Sequence, residues 1–216
     1  MITPMQPRQG EQALGKPGAP QNWAVASHTL NGGFQCGDMH VVQPFAGGVL
    51  YGVIDGLGHG HDAHAAAMVA AETLRKNAHK SLVELIELCH EQLRSTRGAV
   101  MSLATLTANA CTWIGVGNVD GVLVRLTQQP QRTTLLQRGG VVGYRLPTLR
   151  VSSLPILPGD TLVFATDGID NAYGQAVNPA LLPEQMAARI LQQFGKASDD
   201  ALVLVVRHVV QEQEPQ

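Results

Sequence analysis

The chain has 216 residues, enough for one sizeable domain, with 44% hydrophobic but only 4% aromatic side chains, so its core must be built from Val, Leu, Ile and Ala. A formal charge of −2 argues against nucleic acid or an anionic membrane as partner, and no uninterrupted apolar run approaches the roughly 20 residues a membrane helix needs. Met1 to Gly10 carries polar residues and prolines where a signal peptide would be apolar, which predicts a cytoplasmic protein. Cys36, Cys89 and Cys111 lack CxxC spacing and read as reduced thiols. Nothing in the sequence beside Cys36 would lower its pKa, so it too reads as a packing residue.

Residues 1–22, rich in Pro, Gly and Gln, cannot bury enough apolar surface to offset their ordering entropy and are expected to form a flexible tail. The folded domain is expected over 23–210, with 211–216 a C-terminal tail. Three strands are predicted at 23–30, 39–43 and 49–55, joined by Asn31-Gly32-Gly33 and Ala46-Gly47-Gly48 turns, a spacing that suggests an antiparallel meander. A glycine-rich loop, Asp55-Gly56-Leu57-Gly58-His59-Gly60, then leads into a helix over 62–77. Its alanines at steps of three and four predict close packing on a sheet. A second helix is predicted over 81–94, opened by a capping box at Ser81 and Glu84.

Short β-type runs follow at 102–108, 111–117, 121–127, 133–138, 149–154 and 161–166. A helix over 182–194 with Pro183 in its first turn and a last strand over 201–210, apolar enough to lie centrally, complete the series. Strands and helices segregated into blocks indicate an α+β fold of helices covering sheets, not a parallel βαβ array.

Aspartates mark the ends of the apolar strands. Asp38 precedes one, Asp55 and Asp167 end two others, and Asp199-Asp200 precede the last. Carboxylates converging at one sheet edge repel one another unless a cation neutralises them. Oxygen ligands without His or Cys favour Mg²⁺, Mn²⁺ or Ca²⁺ over zinc, and a pair of such ions suits phosphoryl chemistry. The histidines His59, His61 and His64 offer a weaker zinc reading, weighed against a solvent-facing helix start. The glycine loop lacks the Lys-Ser/Thr pair of a nucleotide-binding loop.

Asp55-Gly56, Thr166-Asp167-Gly168-Ile169 and Asp199-Asp200-Ala201-Leu202-Val203, with Cys36-Gly37-Asp38 before them, resemble the metal-dependent protein serine/threonine phosphatases, the PPM family. Within it the Gly-Asp motif and the DGLGHG loop are similar to the SpoIIE/RsbX-like bacterial branch. Gly115-Val116-Gly117-Asn118, Gly140-Val141-Val142-Gly143 and Pro158-Gly159-Asp160 extend the match in the family's order. The resemblance implies a four-layer αββα sandwich of two antiparallel sheets, and two divalent ions, Mn²⁺ or Mg²⁺, held by Asp38, Asp55, the Gly56 carbonyl, Asp167 and Asp199. Asp55 would bridge the ions, and water would hydrolyse phosphoserine or phosphothreonine without a phosphoenzyme.

The sequence departs from the wider family twice. Leu57 stands where the best-known eukaryotic members have a histidine, which leaves a metal-bound water as proton donor or the nearby His59 as its assistant. Gly33 stands where they have a phosphate-binding arginine, which leaves phosphate affinity to the metals. By the same resemblance the substrates would be phosphorylated STAS-domain proteins of the stressosome or anti-sigma-antagonist type, met by a monomer. The alternatives are a non-catalytic phosphoprotein-binding module of this fold and a hydrolase of small phosphate monoesters.

Overall fold

A computed structural model describes residues 21–33, 35–127 and 131–209. The expected tails lie outside these residues, except that β1 already begins at Gln21. The strands are β1 (Gln21–His28), β2 (Asp38–Phe45), β3 (Gly48–Gly56), β4 (Ala99–Leu106), β5 (Ala110–Val116), β6 (Asp120–Val124), β7 (Arg132–Thr134), β8 (Ser152–Pro155), β9 (Thr161–Ala165) and β10 (Ala201–His208). The helices are α1 (His61–Asn77), α2 (Leu82–Leu93) and α3 (Pro183–Phe194), with 3₁₀ turns at Leu30–Gly32 and Asn171–Ala176. The strands form two five-stranded antiparallel sheets, β1-β10-β9-β6-β7 and β2-β3-β4-β5-β8. Helices α1 and α2 cover the second sheet and α3 the first, giving the expected αββα sandwich.

Three apolar layers follow from the strand period. In β3, Leu50 and Ile54 face α1 and α2, while Val49, Tyr51 and Val53 face the other sheet. In β10, Leu202, Leu204 and Val206 enter the layer between the sheets, and Ala201, Val203 and Val205 pack under α3. Both faces are covered, which is why these strands read as unbroken apolar runs. Ala63, Ala66, Ala67, Ala70 and Ala71 of α1 are fully buried, the small side chains letting the helix lie close on the sheet. The Ser81–Glu84 capping box opens α2 as expected, and Asp170 caps the 3₁₀ turn through the Ala172 amide.

The expected meander does not form. β2 and β3 make the hairpin, but β1 crosses to the other sheet and pairs with β10 over its whole length. Residues 29–37, including a 3₁₀ turn, give the chain the reach to change sheets. β7 is also shorter than its β-type run, because Arg138 leaves the ladder for an isolated parallel bridge to Val116. β10 is internal, paired on both sides. No described helix is long and apolar enough to cross a membrane.

Where the two sheets meet the site, main chains touch. A Cβ on Gly168 would lie 1.9 Å from the Asp200 carbonyl oxygen, so the turn after β9 cannot accept a side chain without moving the start of β10. Gly168→Ala is expected to destabilise the fold by about 2–4 kcal/mol, read as a lower urea midpoint; an unchanged midpoint would show that these turns are not in contact.

Candidate metal centre

One cleft of about 320 Å³ opens at the ends of β3, β9 and the start of β10, walled by Asp38, Asp55, Leu57, Gly58, His59, Val100, Asn118, Val141, Asp167, Asp199 and Asp200. The aspartates singled out by sequence thus share one space. Asp38 and Asp55 sit directly opposite each other in the β2–β3 ladder. Asp167 follows β9 and Asp199 precedes β10, delivered from the other sheet. Gly56 is buried between wall residues rather than being one itself; its amide donates to the Gly37 carbonyl at 3.0 Å.

Each carboxylate is held differently. Asp38, 6% exposed, accepts a hydrogen bond from Thr166 Oγ1 at 2.7 Å through Oδ2. Asp167 accepts one from Asn118 Nδ2 at 2.7 Å, and Lys196 Nζ donates to the Asp167 main-chain oxygen at 2.6 Å. The turn carrying Asn118 is fixed by Ser102 Oγ donating to the Val119 carbonyl at 2.7 Å. Asp200 is structural: its two oxygens accept the Leu30 and Gly37 amides, both at 2.7 Å. Its neighbour Asp199 is half-buried and makes only a local bond, accepting the Asp200 amide at 2.9 Å. His28 of β1 bonds the main-chain oxygens of Lys196 and Asp199, steadying that turn.

The histidines do not converge. His59 lines the cleft and is exposed, His61 pairs with Asp62, and His64 Nδ1 bonds the Cys36 carbonyl at 2.8 Å. Burial, with some help from the Asp38 and Asp200 charges, pushes the Cys36 thiol up to about 12, consistent with a packing role.

None of the five cleft aspartates has an ion-pair partner among the described residues. Burial first, and then the charge of Asp55, push the Asp38 carboxyl up to about 8. Burial, then Asp167, Asp199 and Asp200, push Asp55 up to about 7. This donor set fits a hard divalent cation. Among the described residues no three His, Cys, Asp or Glu side chains form a ready-made site for a single ion, and hard divalent ions such as Mg²⁺ usually keep several waters.

An αββα sandwich with this acidic cleft at one end defines a metal-dependent phosphoprotein phosphatase. The model of the family "Stage II sporulation protein E (SpoIIE)" matches residues 46–209, and the chain belongs to that family, within the PPM or PP2C-type serine/threonine phosphatases. A search of curated proteins gives no match. Among solved structures, a protein from work on the bacterial stressosome as a modular system adapted to control secondary messenger signaling shares 28% identity. Its TM-score is 0.79, over 87% of this chain and 100% of that one. RsbX in complex with magnesium superposes with a TM-score of 0.78 at 18% identity, over 94% and 98% of the two chains. The serine/threonine phosphatase PstP/Ppp of Mycobacterium tuberculosis gives 0.71 at 12%, over 88% and 99%. The last two have the same fold.

Thr166 and Asn118 were present in the sequence motifs but had no assigned part. Their only signal was adjacency: Thr166 precedes Asp167, and Asn118 stands in the turn before Asp120.

Two expectations follow. With ordinary carboxyl values near 3.8 when unfolded and about 8 and about 7 when folded, Asp38 and Asp55 keep protons that the unfolded chain has lost. Their contribution is therefore full at acid pH and is lost as pH rises through the folded values. A cation removes that loss by displacing the protons, so the rise in melting temperature on adding Mn²⁺ to protein stripped with EDTA should be larger at about pH 8 than at about pH 6. Equal increments would show that these carboxyls do not take up the ion. Second, Asp200→Asn should cost about 2–4 kcal/mol of stability in EDTA, since its amide cannot accept from both main-chain donors. Asp199→Asn should leave the EDTA melting point in place and shrink the Mn²⁺ increment.

Proposed function

We propose that Asp38, Asp55, the Gly56 carbonyl, Asp167 and Asp199 would hold two divalent ions, Mn²⁺ or Mg²⁺. On this reading the enzyme hydrolyses phosphoserine and phosphothreonine in cytoplasmic STAS-domain proteins of a stressosome or partner-switching pathway. The observation that carries the reading is that four carboxylates from two sheets share one cleft without an ion-pair partner among the described residues. The relatedness to a protein from work on the stressosome supports the pathway.

When bound, the ions supply Lewis acidity and neutralise charge at the phosphoryl group. The chain's own residues orient the reaction. Thr166 fixes one oxygen of Asp38 and so sets the direction of the other. Asn118 fixes one oxygen of Asp167 and so sets the direction of the other. Leu57, Val100 and Val141 form the apolar part of the wall, thinning the water around the reacting group. His59, exposed at the same cleft, is placed to give a proton to the departing serine or threonine oxygen.

Phosphate release should be followed from a phosphorylated STAS-domain protein and from p-nitrophenyl phosphate, with Mn²⁺ and with EDTA. Turnover should need Mn²⁺, and Asp55→Ala or Asp167→Ala should lower it by at least about a hundredfold. Turnover indifferent to EDTA and to both substitutions would sink the reading; release from p-nitrophenyl phosphate alone would move the substrate to small monoesters. His59→Ala should remove one limb of the pH–rate profile, and a profile unchanged in both limbs would acquit His59 of proton transfer.

A further inference from the structure

A phosphate monoester entering this cleft meets carboxylates on most sides, so positive charge at the rim matters. Two cationic side chains reach residues that line the cleft. Lys196 bonds the Asp167 main-chain oxygen and so ties down the turn after β9. Arg97 stands at the DGLGHG side. A Cβ on Gly58 would lie 2.9 Å from Arg97 Nη1, so the guanidinium fills the space over the loop that a side chain at residue 58 would occupy. Gly58 also has φ of 88°, a backbone conformation that favours glycine.

The placement is fixed from two directions. Asp62, in the first turn of α1, pairs with Arg97 Nη2 at 3.1 Å. The next residue, Gly98, accepts the Leu57 amide at 3.0 Å and packs on Val141, so the main chain at Arg97 is tied to two walls of the cleft. An exposed ion pair contributes only about 0–1 kcal/mol, so stability alone is a weak reason to hold a guanidinium there. Its fork has five donors, and a pairing through Nη2 leaves the Nη1 side free to bind a second anion. Gly33, which stands where the resemblance to the wider family implies a phosphate-binding arginine, carries no side chain.

We propose that Arg97, oriented by Asp62 and seated over Gly58, binds the phosphate of the substrate at the mouth of the acidic cleft. The proposal rests on the phosphatase reading and names a residue that grips the substrate within it. Arg97 meets the phosphoryl oxygens from outside, with the carboxylates below them. It raises affinity and sets the approach of the phosphoryl group, and it leaves the acid residues to their own work.

The test is calorimetric titration of inorganic phosphate into the Mn²⁺-loaded protein, alongside steady-state kinetics with p-nitrophenyl phosphate. Arg97→Ala should weaken phosphate binding about tenfold or more, the loss expected for one charged hydrogen-bonding partner. Arg97→Lys should recover part of it, keeping the charge without the fork. KM should rise by a similar factor, with kcat changing less. Unchanged phosphate affinity in Arg97→Ala, or no phosphate binding by the wild type, overturns the proposal. Binding that depends on Arg97 in a wild-type protein without turnover would sink the phosphatase reading and leave the anion site standing. Turnover with a KM indifferent to Arg97 would do the reverse.

Discussion

Like charges placed directly opposite each other on neighbouring strands destabilise a sheet, and Asp38 and Asp55 are such a pair at the open end of the β2–β3 hairpin. Asp167, Asp199 and Asp200 add to the repulsion from across the sandwich. Removing water from these carboxyls raises the cost of their ionisation further. The arrangement persists because the elements that carry the aspartates are anchored elsewhere, in three apolar layers that reach from α1 and α2 through both sheets to α3. The packed layers fix the strand ends, and the strand ends fix the distance between charges. The same crowding of negative charge is what a divalent cation would relieve.

The paired aspartates before β10 show how adjacent identical residues take opposite tasks. Asp200 points back into the protein and clasps two amides of the β1–β2 connection, so its charge is spent on the main chain. Asp199 is half-buried at the cleft, its one described side-chain bond local. Both stand just before β10 and both line the cleft, and their hydrogen bonds separate their tasks.

Much of the fold was legible because burial leaves a period in the sequence. β3, β9 and β10 appear as unbroken apolar runs since both their faces are covered, and the alanine spacing of α1 records its closeness to the sheet. The partner of β1 was not legible: Trp23 to His28 declare a strand, but its neighbour is chosen by residues at the far end of the chain. The run at 133–138 was legible but its end was not: β7 stops at Thr134, and Arg138 bridges Val116 instead, a contact no local pattern encodes. In the site, the aspartates stood out by falling at strand ends. Thr166 and Asn118 did not, since hydroxyls and amides are common in turns and acquire a task only through a carboxylate brought from elsewhere. Arg97 was hidden for a similar reason, being separated in sequence from the glycine whose missing side chain gives it room.

The clasp of Asp200 on Leu30 and Gly37 spans 170 and 163 positions of sequence. Closing so long a loop is entropically costly before the contacts it brings are made, and folds dominated by such pairings are slow to form. The cleft can assemble only when the earliest and latest described strands have met, after the hairpin of β2 and β3 could already exist. Until then Asp38 and Asp55 lack the aspartates that the other sheet brings to the cleft. The closed cleft is thereby a product of contacts between distant parts of the chain, and its presence reports that both sheets have come together.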